Sequence, residues 1–171
     1  GKAVYIPLRH INNDNDLFEN KKNDDFPNQI EFEKAINLIK PILEDPSILK
    51  IGHNIKFDMN VLRQNHNGNI SVFPVDDTMC MSYCINLGKV QNHKLDTLAQ
   101  TELNYRTIKY EDLCGKGVNQ KSFDLINPLE ALHYAAEDSD VALALHKNFK
   151  SQLISDKKNL VYQKLERELI S

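Results

Sequence analysis

Two aspartates and a tyrosine are the side chains of this sequence best placed to do chemistry. Between Pro128 and Leu153, residues Ala131, Tyr134, Asp138, Val141 and Leu145 recur at a 3-4-3-4 spacing, which puts them on one helical stripe facing the protein. Asp138 therefore falls inside an apolar seam, and burying an unpaired carboxylate there is strongly unfavourable. It must be neutral, paired with a cation or bound to a metal. The plain alternative is a core aspartate that caps a neighbouring backbone or pairs with a lysine. Tyr134 lies one turn earlier, so its hydroxyl and the carboxylate reach the same space. A second acid, Asp58, sits in "KIGHNIKFDMNVL", four residues after Asn54 and in the first turn of a helix that follows a β-rich run. The helix dipole favours a carboxylate at that point in any case. Ligands of α/β sites also collect at the carboxyl ends of strands, where Asn54 and Asp58 both fall. Acids of this kind suit a hard divalent ion, Mg²⁺ or Mn²⁺. Phosphodiester cleavage by two ions ~4 Å apart needs several such acids, of which these are a part.

The elements that must position these residues follow from periodicity. "SILKIGH" reads as a strand, "KFDMNVLRQN" as a helix and "NISVFPV" as a short strand closed by Pro74, together a βαβ-like unit. Before it, "KAVYIPL" reads as a strand ending at Pro7, the stretch from Asn12 to Asn28 as a solvated loop, and Gln29 to Glu44 as a helix disturbed by Pro41. After it, "DTMCMSYCINL" and "KLDTLAQTEL" are helical in pattern, "CGKGVNQKSF" is a loop, and the long helix begins near Pro128. Strands come early and helices late, which predicts an α/β fold with a mixed sheet covered by helices.

Size and composition fit one globular domain: 171 residues, 41% of them hydrophobic. A net charge of -3 argues against affinity built on many phosphate contacts, though a nucleic acid held by a few nucleotides, or with a metal's charge, remains compatible. Cys80, Cys84 and Cys114 form no CxxC pair, so reduced thiols in a cytoplasmic protein are expected. No apolar run reaches the ~20 residues that span a membrane.

With these residues in view, "HNIKFD" resembles the second motif, and "YAAED" the third, of the proofreading 3'-5' exonuclease domain of bacterial DNA polymerase I, a DEDD exonuclease of the tyrosine subtype. "AVYIPL", "KPILEDPSILKIGHN", "DDTM", "LDTLAQTEL", "GKGVNQKSF" and "YAAEDSDVALALH" resemble the same domain in the same order. The resemblance implies a ribonuclease H-like fold with a mixed central sheet flanked by helices. It implies that Tyr134 and Asp138 orient the attacking water and bind metal, that Asp58 is a metal ligand, and that Asn54 shapes the site. It also implies that His53 touches the DNA end and that Tyr110 contacts the terminal nucleotides by stacking. For His53 and Tyr110 an ordinary packing role is the alternative.

The family's first motif, an Asp-x-Glu on the first strand, occurs nowhere in the sequence. Asp14, Asp16, Asp24 and Asp25 are early acids in a polar loop and poor substitutes. Residues 1–155 are expected to form the exonuclease domain without its N-terminal strands, and 156–171 the start of a helix leading into a polymerase domain. The chain reads as a piece of a larger polymerase. The implied activity is removal of 3'-terminal nucleotides from single-stranded or frayed DNA with Mg²⁺ or Mn²⁺, with little activity in the isolated piece. The rivals are an exoribonuclease of the RNase D type and a degenerate domain that only guides DNA beside a polymerase.

Overall fold

The computed structural model describes residues 2–11, 26–65, 70–86 and 88–170. In chain order they form α1 (Phe32–Glu44), β1 (Lys50–Gly52), α2 (Ile55–Asn65), β2 (Val75–Asp77), α3 (Thr78–Asn86), α4 (Leu95–Leu103), α5 (Tyr110–Cys114) and α6 (Pro128–Ser155). A short helical run then continues to Leu169 through a π turn and a 3-10 turn. Among the described residues the sheet is one parallel pair, with Lys50 opposite Val75, Ile51 opposite Asp76 and Gly52 opposite Asp77. The helix α2 makes the crossover, as a parallel pair requires. α6 packs on β1, α3 and α4, which makes it the spine of the molecule.

Each of the main elements has a sequence cause. α6 starts where Asn127 accepts the Leu129 N–H at 2.9 Å and Pro128 presets the first turn. Its inward stripe is buried as the spacing requires, with Ala131 and Leu145 at 0% exposure, while Tyr134 and Asp138 are half-buried. Leu145, Phe149 and Leu153 join Met81, Ile85 and Leu98 in the main core. Burying a side chain of this size contributes about 1.5–3 kcal/mol. A second cluster, around Ile36, Met59 and Val75, packs α1 and α2 on the other side of the sheet.

Several boundaries differ from the sequence reading. "KAVYIPL" forms no strand: Val4 is 80% exposed, and the segment is held instead through His10 and Ile11. The His10 Nδ1 donates to the Ile126 carbonyl at 2.7 Å, its Nε2 accepts from the Tyr5 hydroxyl, and the Ile11 N–H donates to the Asp124 carbonyl at 2.7 Å. α1 begins at Phe32 rather than Gln29, because the backbone is still extended at Glu31 (ψ 136°), while the Gln29 side chain makes two 2.8 Å hydrogen bonds with the His10 backbone. The second strand lies after Pro74 and not before it. Proline has no N–H to offer a ladder, and the Pro74 carbonyl instead accepts from the Lys50 N–H at 2.9 Å as pairing starts. One 3-10 turn forms inside the expected loop, at Gly117–Asn119, and a second at its end, Phe123–Leu125. Asp14, Asp16, Asp24 and Asp25 lie outside the described residues.

The strand β2 reads Val-Asp-Asp and all three residues are buried, a pattern that needs every acid satisfied. Asp76 meets His146 Nε2 at 2.8 Å, the Tyr162 hydroxyl at 3.1 Å and Arg167 Nε at 3.1 Å. The same Tyr162 hydroxyl accepts the Asp77 N–H at 3.1 Å. Burial and the Asp76 charge push the Tyr162 phenol far above its ordinary range, so it stays a hydrogen donor. This network fastens the C-terminal run to the sheet.

Candidate active site

β1 ends at Gly52, and the chain must turn at once into α2. Asn54 makes that turn with φ of 58°, in the left-handed region that asparagine tolerates. The turn is held from below by Asp77. Its Oδ1 accepts the N–H groups of Asn54 at 2.9 Å and Met79 at 2.8 Å, and its Oδ2 accepts that of Ile55 at 3.0 Å. One buried carboxylate thus caps α2 and α3 together and fixes where α2 begins. Asp58, one turn into α2, inherits its position from this cap.

Opposite α2 runs α6, and between them lies an open cleft of about 770 Å³. His53, Asp58, Tyr110, Tyr134 and Asp138 all line it, which brings together five of the six residues singled out in the sequence. The sixth, Asn54, is exposed and does not line the cleft; its visible part is the backbone turn. Lys94, Asp96, Thr107 and Lys109 complete much of the far wall. The aromatic rings form a cluster at one end: Tyr110 stands edge-on to Tyr134 at 6.1 Å, and Phe123 lies 6.3 Å from Tyr110 and 6.0 Å from Tyr134.

The lysines of the far wall do not compensate the two aspartates. Burial, then the neighbouring Glu137 charge, pushes the Asp138 carboxyl from 3.8 up to about 6, against the opposing contact with Tyr134. Burial also raises Asp58, with the Asp77 charge adding to it. Tyr134 is pushed up to about 12 by burial and by Asp138. No cation contributes to the shift of either aspartate. A hard divalent ion would relieve both, and their oxygens are the ligands it prefers. Both carboxylates line the same cleft and are oxygen donors of the kind such an ion takes. Among the described residues there is no group of three or more His, Cys, Asp or Glu side chains that could hold a metal.

His53 is held in one tautomer. The Thr78 hydroxyl donates its only hydrogen to the Gly52 carbonyl at 3.1 Å, so it accepts from His53 Nδ1 at 2.9 Å. Burial lowers the His53 pKa and keeps the ring neutral, with the Asp77 charge opposing. Its Nε2 is buried and makes no hydrogen bond of good geometry, although the backbone of His93 lies close enough to the ring to oppose the shift.

Sequence reasoning missed Asp77, Glu137 and Phe123. The signal for Asp77 was present: an aspartate just before a helical run is an N-cap candidate. Phe123 carried none, since its partners are distant in sequence.

A family model described as 3'-5' exonuclease matches residues 4–154. DNA polymerase I of Rhizobium leguminosarum is 37% identical over 169 residues, covering 99% of this chain and 16% of that protein. DNA polymerase I of Pseudomonas aeruginosa is 39% identical over 147 residues, covering 85% of this chain and 15% of that protein. The chain therefore spans about a sixth of the length of these relatives. Among solved structures, Brucella melitensis NrnC bound to pGG superposes with a TM-score of 0.55 at 24% identity, over 78% of this chain and 62% of that one. The architecture is the ribonuclease H-like exonuclease fold expected from the sequence. No helix among the described residues is long and apolar enough to cross a membrane.

Proposed function

We propose, since this chain belongs to the 3'-5' exonuclease family found in DNA polymerase I, that its cleft receives the 3' end of a single-stranded or frayed DNA strand for proofreading. The observation that carries this reading is the meeting of Asp58, Tyr134 and Asp138 in one cleft with an aromatic cluster beside them. Exonucleases of this family work with divalent metal ions. Asp58 and Asp138 would hold Mg²⁺ or Mn²⁺, which when bound supplies charge to the phosphate and acidity to a water.

The chain's own residues do the rest. Tyr110, exposed beside Tyr134, offers a face on which a terminal base can stack, worth about 1–3 kcal/mol per base in single-strand binders. Tyr134 stays protonated at neutral pH and orients a water through its hydroxyl, next to the Asp138 carboxylate that accepts a proton from it. His53, anchored to Thr78 through Nδ1 where it lines the cleft, borders the DNA end. Asn54 shapes the turn that presents His53 and Asp58. The run after Ser155 is part of this domain, since Tyr162 and Ile170 are buried in its two cores, and in the family it leads toward a polymerase domain. With two carboxylates in place of four, the chain binds metal weakly and cleaves slowly.

The test is a 5'-labelled single-stranded DNA oligonucleotide incubated with the 171-residue chain and Mn²⁺. The reading expects Mn²⁺-dependent binding that Tyr110→Ala and Asp138→Ala weaken, tighter than for RNA of the same sequence, with slow shortening from the 3' end. Preference for RNA would favour the RNase D-type rival. Binding indifferent to both substitutions would favour a platform that only guides DNA. Rapid cleavage abolished by Asp138→Ala would show that the site needs no further acid.

A further inference from the structure

One carboxylate beside the cleft has an arrangement that nothing in the reaction explains. Glu137 stands next to Asp138 on α6 but points sideways, toward the segment that joins α4 to α5. Its Oε1 accepts from the Tyr105 hydroxyl at 2.7 Å and its Oε2 accepts from the Ile108 N–H at 2.7 Å. That segment has no regular structure. It leaves α4 through Asn104, at φ of 50°, and after the Tyr105 N–H bond to the Ala99 carbonyl at 3.0 Å its next backbone tie among the described residues is the Ile108 bond to Glu137. Yet it forms a wall of the cleft through Thr107, Ile108 and Lys109, and it delivers Tyr110 to the ring of Tyr134.

We propose that Glu137 is a positioning residue, whose two-oxygen clamp on Tyr105 and Ile108 sets the wall of the cleft and so holds Tyr110 where the terminal nucleotide stacks. The last clause rests on the reading of the cleft as a DNA 3'-end site; the clamp itself does not.

The experiment uses the 171-residue chain and its Glu137→Ala and Glu137→Gln variants, each with and without Tyr110→Ala. Amide exchange over 104–110 reads the clamp, and fluorescence anisotropy of labelled tetrathymidylate with Mn²⁺ reads the nucleotide site. Glu137→Ala is expected to speed Ile108 exchange at least tenfold and to weaken tetrathymidylate about tenfold. Glu137→Gln, which keeps one acceptor, falls between, and it carries the test alone should the alanine variant not fold. In the Tyr110→Ala background the Glu137 substitutions should weaken binding no further, an outcome that a general loss of structure would not give. Unchanged exchange over 104–110 overturns the clamp. An equal loss of binding with and without Tyr110 overturns its role in holding that ring. Wild-type chain that fails to bind tetrathymidylate, with faster exchange in Glu137→Ala, overturns the nucleotide role and the functional reading together while leaving the clamp established.

Discussion

Replacing Asp138 by Asn should stabilise the fold, and increasingly so as pH rises. The carboxyl is held from 3.8 up to about 6, chiefly by burial and then by Glu137. A group whose folded pKa is raised favours the native state while protonated. That contribution is fully present below the unfolded value near 3.8 and is lost as pH rises through about 6. A displacement of about two pH units corresponds to about 3 kcal/mol. Asp138 keeps some contact with water, and screening reduces the figure to about 1–2 kcal/mol. Asparagine keeps an oxygen for Tyr134 and removes the charge. For a domain of this size the gain is a melting temperature higher by about 2–8 °C above about pH 7, shrinking toward zero as pH falls to about 4. The assay is thermal unfolding of both proteins across that range without divalent metal. A gap that is constant with pH, or a variant less stable at high pH, would refute the claim that an uncompensated charge sits in the cleft.

Other substitutions probe the scaffold beneath the site. Tyr162→Phe removes the hydroxyl that joins Asp76 to the Asp77 N–H inside the fold, and urea unfolding should show a loss of about 1–3 kcal/mol; less than about 0.5 would mean the network is slack. Asp77→Ala strips the cap from Asn54, Ile55 and Met79, and should cost about 2–4 kcal/mol in the same assay, with Asp77→Asn in between. Gly52→Ala would set a Cβ 2.9 Å from both Cβ and Cγ1 of Ile55, so α2 must shift; we expect a loss of about 1–3 kcal/mol together with weaker Mn²⁺ binding, and a neutral result would show that the turn can give.

Much of this was legible in the sequence because the signals were local and periodic. The stripe of α6 could be read from Ala131 to Leu145, and with it the half-buried positions of Tyr134 and Asp138. Asp58 could be assigned to the first turn of α2 because a β-rich run and a glycine precede it. What escaped depended on partners far along the chain. "KAVYIPL" has strand composition, but a strand exists only through a neighbour's backbone, and the segment is held by the 124–126 region instead. The Asp76, His146, Tyr162 and Arg167 network joins residues from 70 to 91 positions apart, and no spacing announces it. Glu137 was hidden by its neighbour, since "YAAED" draws the eye to its last residue while the glutamate serves a wall made 30 residues earlier.

The central claim is that Asp58 and Asp138 act together on one divalent cation in the cleft. The most direct measurement is a titration of Mn²⁺ into ¹⁵N-labelled protein, followed by paramagnetic broadening of the amide signals. The account predicts that the signals of residues 53–58 and 134–138 broaden first and together, and that Asp58→Asn with Asp138→Asn abolishes this. Broadening confined to exposed acids elsewhere, or unaffected by the double substitution, would contradict it.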